Sequence, residues 1–188
     1  MPSPLDLEPV LETSRLVFAE ATAEVLSDLL AVFSTNPAYV NLIEGPAGYG
    51  LAQLQRDWQV ASMTPGRHMW AILRKSDAAA VGLADFLDDN PFDHTPWLGL
   101  LVIRGDLQGQ GYGTEALEAL LAYFRDDRLW PVVRIGVIAA NRRALAWWQR
   151  RGFRPIHTVR RRLPAGETEI ICLERQLRTP GPARTRPD

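Results

Sequence analysis

Cysteine is nearly missing from this sequence: Cys172 is the only one in 188 residues. A single thiol excludes an intramolecular disulfide and any cysteine-based metal cluster, so a reducing, cytoplasmic setting and no metal are expected. Cys172 stands in the apolar-rich run Glu169-Ile170-Ile171-Cys172-Leu173, which reads as buried strand and not as the surroundings of a nucleophile. Net charge is missing as well. Twenty-one basic side chains against 22 acidic ones leave a formal charge of -1. A dedicated nucleic-acid binder usually carries a basic excess, so nucleic acid is not an expected partner. No apolar run approaches a membrane span, so no membrane partner is expected. Residues 1–10 lack a basic segment followed by an apolar one, and no signal peptide is expected. There is no internal repeat.

What is present is a chain that is 46% hydrophobic and 23% charged. That composition and length suit one globular domain, expected over residues 1–177. Residues 178–188, rich in Pro, Arg and Thr, read as a disordered tail.

The apolar pattern predicts a strand over 14–21, then a helix over 23–33 with Val25, Leu29 and Val32 on one face. Pro37 opens a short helix to 43. Helical spacing resumes over 51–63. Strands are predicted over 68–73 and 79–87, a polar loop over 88–96, and a nearly all-apolar strand over 97–103, the pattern of a strand covered on both faces. A helix over 110–124 carries Leu117, Leu120, Leu121 and Phe124 at helical spacing. A β-branched strand over 131–139 precedes a helix capped by Asn141 and ended by Gly152. Strands over 153–160 and 167–177 close the chain. The result is a mixed α/β (α+β) fold without the strict alternation of a doubly wound nucleotide-binding sheet.

Gly109, Gly111 and Gly113 alternate between the 97–103 strand and the next helix. Glycine costs backbone entropy, so three in five residues need a reason. A helix N-terminus presents unpaired N–H groups and the positive end of a dipole, and glycines before it let an anion approach the backbone. The junction is suited to phosphate or diphosphate. It is neither of two familiar motifs. A Rossmann fingerprint needs glycine where Thr114 stands, and a P-loop needs a Gly-Lys-Ser/Thr ending.

The pattern Gln108-Gly109-Gln110-Gly111-Tyr112-Gly113 resembles the acyl-CoA signature Gln-x-x-Gly-x-Gly of the GCN5-related N-acetyltransferase (GNAT) superfamily. Asn141-Arg142-Arg143-Ala144, Trp147-Trp148 and Gly152-Phe153 are similar to that family's second element, at a fitting distance. Together these span 97–153 within a resemblance covering roughly 14–177. Gly113-Thr114-Glu115-Ala116-Leu117 is similar to the branch that includes ribosomal-protein N-terminal acetyltransferases. The resemblance implies a mostly antiparallel mixed sheet of about seven strands flanked by helices. One splayed strand pair would form the acyl-CoA slot. It implies that backbone amides from Gly109 and Gln110 through Gly111, Tyr112 and Gly113 to Thr114 bind the diphosphate. The edge at Leu101, Val102 and Ile103 would pair with the pantetheine arm, and an N–H of the first strand of the splayed pair would polarise the thioester carbonyl. Asn141 would contact the pantetheine or order the slot.

Trp148 departs from the family, many of whose members have a tyrosine there that protonates the leaving thiolate. An indole N–H donates a hydrogen bond but does not give up its proton. Trp148 therefore reads as a wall of the slot or a packing residue. Tyr112 and Tyr123 are substitute acids. Asp85, His94 and Glu44 are candidate bases, since an acceptor ammonium must lose a proton before it attacks. Each of the three also reads as a solvated or capping residue, and a water chain would serve as well. Asn36, Tyr39, Asn41 and Glu44 fall where the family lines its acceptor pocket. An exposed helix face explains them equally. Arg150-Arg151 and Arg160-Arg161-Arg162 read as solvated ends, or as contacts to CoA phosphates.

The implied activity is transfer of an acetyl group from acetyl-CoA, a co-substrate, to a primary amine on a small molecule or peptide, by direct attack. The alternative is an acyl-CoA-binding module of the same fold with little or no chemistry. Whether the chain works alone or as a homodimer stays open.

Overall fold

Residues 7–177 are described by a computed structural model of the chain. The tail expected at 178–188 lies outside the described residues. The strands are β1 (Leu11–Glu12), β2 (Leu16–Glu20), β3 (Arg67–Arg74), β4 (Ala80–Leu87), β5 (Trp97–Ile103), β6 (Val132–Ile138), β7 (Arg154–Leu163) and β8 (Gly166–Gln176). The helices are α1 (Leu26–Ser34), α2 (Pro37–Glu44), α3 (Leu51–Met63), α4 (Tyr112–Asp126) and α5 (Arg142–Arg150). All eight strands form one sheet in the order β1-β2-β3-β4-β5-β6-β8-β7. Every neighbouring pair is antiparallel except β5 and β6.

Both faces of the sheet are covered, and β3 shows how. Its side chains alternate, as the two-residue strand period requires. Trp70 and Ile72 enter a core shared with Leu117, Leu120 and Phe124 of α4. Met69, Ala71 and Leu73 enter a second core with Leu26, Leu29 and Val32 of α1 and Leu54 of α3. Phe86, fully buried, centres the first core, with Trp70 edge-on at 4.8 Å and Phe124 at 5.0 Å. Such edge-to-face pairs add to the burial of the rings themselves.

Seven strands were expected and eight are present. The extra one, β1, pairs only two residues with β2, too short to show a period. β7 runs to Leu163, past the expected 160, because it is exposed along nearly its whole length and no apolar alternation marks its end. α4 starts at Tyr112, since Gly111 before it holds a left-handed φ of 87°.

The sheet parts where β5 meets β6. Their register holds a single pair, Trp97 with Arg134, while β5 pairs with β4 along its length and β6 with β8 along its own. A side-chain cluster fixes that closed end. Asp93 accepts from Trp97 Nε1 at 3.0 Å and from Arg134 Nη1 at 2.9 Å, and Arg134 Nε donates to Glu174 at 2.9 Å. Beyond it the two strands diverge and the β6-facing edge of β5 is left unpaired.

Candidate active site

The open edge of β5 leads into the glycine loop. Its first turn is fastened to the end of α1. The Gly105 N–H donates to Thr35 Oγ1 at 2.9 Å, and a Cβ on Gly105 would lie 1.9 Å from the Thr35 carbonyl oxygen. Only glycine fits that approach. Gln108 donates through Nε2 to Asn36 Oδ1 at 2.7 Å and to the Ile103 carbonyl at 3.2 Å, and Asn36 Nδ2 donates to that same carbonyl at 2.9 Å. Gln108 and Asn36 thus tie the loop to the end of β5. Asn36, expected in an acceptor pocket, sits behind the loop.

Gly109 and Gly111 have φ of 80° and 87°, the left-handed region that side chains disfavour. This backbone leaves the N–H groups of Gly109, Gln110, Gly111, Tyr112 and Gly113 without a hydrogen-bond partner among the described residues. Around Gly109 nothing lies within 4 Å of where a Cβ would be. Consecutive amides around open space at the head of a 15-residue helix form an anion cradle, and they fit the diphosphate of a CoA.

Two aromatic positions are placed differently from one another. Trp148 is buried in the first core, edge-on to Phe153 at 5.0 Å and to Trp147 at 4.8 Å. Trp147 is the ring that reaches the loop, 3.6 Å from a Cβ position on Gly113. The Arg151 guanidinium carbon stands over the Trp147 ring, 3.8 Å from its centre, and Arg151 donates to Thr114 Oγ1. Tyr112 is buried in the first core beneath the Arg15 guanidinium, 4.3 Å from the ring centre. Asn141 caps α5, its Oδ1 accepting from the Ala144 N–H at 3.1 Å.

Beside the middle of β5 lies a cavity of about 240 Å³. Tyr39 and Glu44 of α2, Asp57 of α3, Arg67 of β3, Asp85 of β4, and Gly99 and Leu100 of β5 line it, with Tyr49 between α2 and α3. A bulge brings Asp85 to this space. Asp85 pairs with Leu100 and Phe86 with Leu98, so Gly99 is the extra residue. A Cβ on Gly99 would stand 3.6 Å from Asp85 Oδ1, so any larger side chain there would cover the carboxylate.

Asp85 is 6% exposed and holds Arg67, whose Nε lies 3.1 Å from each carboxylate oxygen and whose Nη2 lies 3.0 Å from one of them. Burial pushes the Asp85 carboxyl above the usual carboxylate range, against the pull of Arg67. Burial, and then the nearby Asp57 charge, push Glu44 upward too. Tyr49 donates to Asp57 Oδ2 at 2.5 Å. Burial and the Glu44 charge push the Tyr39 phenol up to about 12, so it stays neutral. Counting Glu44, Asp57 and Asp85 against Arg67, the cavity carries an excess of negative charge when its carboxyls are ionised.

The remaining sequence candidates lie apart from this cavity. Asn41 is exposed on α2. His94 is exposed in the 88–96 loop, has a φ of 49°, and turns Nδ1 toward Asp89. Asp57 and Arg67 were not legible. Nothing in their local pattern separates them from ordinary charges on a helix face and at a strand start.

Residues 15–154 match the Acetyltransferase (GNAT) domain. No curated protein sequence matches the chain. Among solved structures, an acetyltransferase from Thermus thermophilus is 29% identical over 90% of this chain and 99% of that one, with a TM-score of 0.69. RimL, a ribosomal L7/L12 alpha-N-protein acetyltransferase solved with coenzyme A, is 15% identical over 90% of this chain and 98% of its own, at a TM-score of 0.73. A spermidine N-acetyltransferase SpeG chimera from Vibrio cholerae and hSSAT is 13% identical over 87% and 96%, at 0.70. The last two share the fold. The splayed sheet, the glycine loop and the domain match agree: this chain belongs to the GNAT family of acetyltransferases.

Proposed function

We propose that this acetyltransferase moves an acetyl group from acetyl-CoA to a cationic primary amine by direct attack. One observation carries the reading. The acidic cavity and the open strand edge share β5, the cavity lined by Gly99 and Leu100 and the edge continuing through Leu101, Val102 and Ile103 to the loop. An amine in the cavity and a thioester on the edge therefore meet on adjacent residues of one strand. That the neighbours RimL and SpeG are named for transfer to protein α-amines and spermidine supports an amine acceptor here.

When bound, acetyl-CoA supplies the acetyl group as an activated thioester. The amides from Gly109 to Gly113 hold the diphosphate, and the β5 edge holds the pantetheine and orients the carbonyl. Asn141 Oδ1 caps α5, and its Nδ2, without a partner among the described residues, would be available to the slot. Glu44 and Asp57 draw the ammonium into the cavity. Asp85 takes its proton, directly or through one water, leaving a neutral nitrogen with a lone pair for attack. The nitrogen would bond to the thioester carbon, the carbon–sulfur bond would break, and the nitrogen's remaining excess proton would pass to the departing sulfur or to water, giving the amide and free CoA thiol. A thiol of pKa about 8.5 leaves as thiolate with little help, so neither Tyr112 nor Trp148 is needed as an acid. Residues 7–177, one continuous sheet with its helices, form the catalytic domain.

The test is release of free CoA from acetyl-CoA with a panel of amines. Acetylated amine formed in step with CoA is expected. Tight acetyl-CoA binding without any acceptor-dependent release would favour a binding module instead.

A further inference from the structure

Arg15, in the turn between β1 and β2, crosses to the head of α4. Its Nε lies 2.6 Å from Glu115 Oε2. The other oxygen of that carboxylate gathers the rest of the turn, accepting from Thr13 Oγ1 at 2.6 Å, Ser14 Oγ at 3.1 Å and the Arg15 N–H at 3.0 Å. Burial disfavours the Glu115 charge, but these hydrogen bonds outweigh it and hold the carboxyl down at about 2. Glu115 is therefore ionised at any working pH and fixes the guanidinium. Nη1 donates to the Gln110 carbonyl at 3.2 Å, and the plane of the group lies over the Tyr112 ring.

That leaves Nη2. It has no acceptor among the described residues, and it lies 3.3 Å from where a Cβ on Gly111 would stand. Gly111 is the middle of the five unpartnered amides. A rigid planar donor, held on two of its nitrogens, thus points its third toward the anion cradle. Five amides supply dipoles but no net charge, and a guanidinium donor matches phosphate oxygens in both charge and shape.

We propose that Arg15 is the side-chain ligand of the cofactor's diphosphate, supplied from outside the glycine signature and aimed by Glu115. The proposal rests on the acetyl-CoA reading of the loop.

The test is calorimetric binding of three ligands to the wild-type chain and to Arg15→Gln: CoA, dephospho-CoA, which keeps the diphosphate, and pantetheine, which lacks it. Arg15→Gln should weaken CoA and dephospho-CoA equally, by about tenfold or more, as loss of a charge-assisted hydrogen bond implies. Pantetheine should bind both proteins alike. Equal loss of all three would make Arg15 a purely structural clamp and overturn the assignment. Loss for CoA with dephospho-CoA spared would move Arg15 to the 3′-phosphate and overturn it too. If Arg15→Gln does not fold, Arg15→Lys answers the same question. It keeps the charge but cannot reach Glu115, Gln110 and the cradle together, so it should lose CoA and dephospho-CoA affinity and keep that for pantetheine. A wild-type chain that binds pantetheine as tightly as CoA would instead sink the acetyl-CoA reading, before any variant is made.

Discussion

The glycine loop follows the end of β5 and the acidic cavity lies beside its middle, and the two are built by opposite rules. The loop is backbone: consecutive amides from Gly109 to Gly113, shaped by glycines in left-handed conformation. Apart from the Arg15 ligand proposed above, side chains enter it as supports, such as Gln108 and Asn36. The cavity is side chains. Its lining runs from Phe33 to Leu100 in the sequence and comes from three helices and three strands. Its chemistry lies in how Glu44, Asp57 and Asp85 share space with Arg67. A site of the first kind is specific for a shape and a charge, and suits a co-substrate held in one way. A site of the second kind is retuned by single substitutions, and suits the half of the reaction that chooses the acceptor.

The difference breaks most sharply at Asp85. Asp85→Asn removes the proposed proton acceptor and leaves the half-buried Arg67 without its carboxylate partner. We expect kcat to fall by about a hundredfold or more, the range for losing a general base, with acetyl-CoA affinity unchanged. Because the Asp85 carboxyl sits above the usual range, wild-type kcat should rise with pH as it ionises, and Asp85→Asn should lose that limb. Equal loss of cofactor binding would mean that the two regions are not separable.

Gly111→Val is the converse. Valine would need a φ near 87° that β-branched residues avoid, and its Cβ would press on Arg15 Nη2. Acetyl-CoA affinity should fall tenfold or more, about 1.4 kcal/mol. Binding of the amine, read by titration without acetyl-CoA, should stay as it was. Unchanged acetyl-CoA affinity in a folded Gly111→Val protein would remove the cofactor reading.

The same contrast explains what the sequence disclosed. Gly109, Gly111 and Gly113 are neighbours in the chain, and their alternation at a strand–helix junction is visible without any fold. Asn141 is legible as a cap for the same reason: its partner, Ala144, is three residues away. Asp85 was legible as a candidate, yet its importance comes from Arg67 across the β3–β4 ladder and from a bulge at Gly99. No local period announces either. Tyr39 and Glu44 were placed by resemblance, and the helix does turn them to the cavity. Asn36 was placed the same way and faces the loop instead. The edge strand β1 was invisible, although its turn carries Arg15 to the glycine loop. Long-range pairings of short segments are where a single sequence stays silent.

A smaller effect sharpens the acceptor side. Glu44→Gln removes one of the cavity's charges without changing its size. The KM for a cationic amine should rise several-fold with kcat nearly constant, because the attraction acts on binding and not on the reacting atoms. Amino acids whose carboxylate adjoins the amine should be poor acceptors for the wild-type protein and improve, relative to simple amines, in Glu44→Gln. A fall in kcat with KM fixed would move Glu44 from drawing the amine to handling its proton.

The smallest effect lies outside both regions and guards the reading of any pH profile. His68 of β3 has Nδ1 3.1 Å from Glu20 Oε1 and Nε2 3.5 Å from Asp88 Oδ1, with its ring stacked on Phe86 at 4.8 Å. Arg128 also pairs with Asp88 and competes for it. The hydrogen bond to Glu20 raises the His68 pKa, burial opposes the rise, and the Asp88 and Glu20 charges add to it. A histidine raised in the folded state favours folding when protonated. Its contribution is fully present below its unfolded pKa of about 6.5 and is lost as pH climbs through the folded value. The ion pairs are partly solvated, so the loss should stay below about 1 kcal/mol. Urea midpoints near pH 6 and pH 9 should therefore fall further apart in the wild-type protein than in His68→Gln. Asp85 and Glu44 also favour folding when protonated, but their window opens in the carboxylate range, and the difference between the two proteins cancels them. The pH limb of kcat should meanwhile persist in His68→Gln, moved only slightly upward, since His68 is not among the cavity's lining residues and its charge is the least of the pulls on Asp85. If that limb vanished together with the stability slope, the proton would be governed from β3, and the division between a backbone-built cofactor site and a side-chain-built acceptor site would need a third partner.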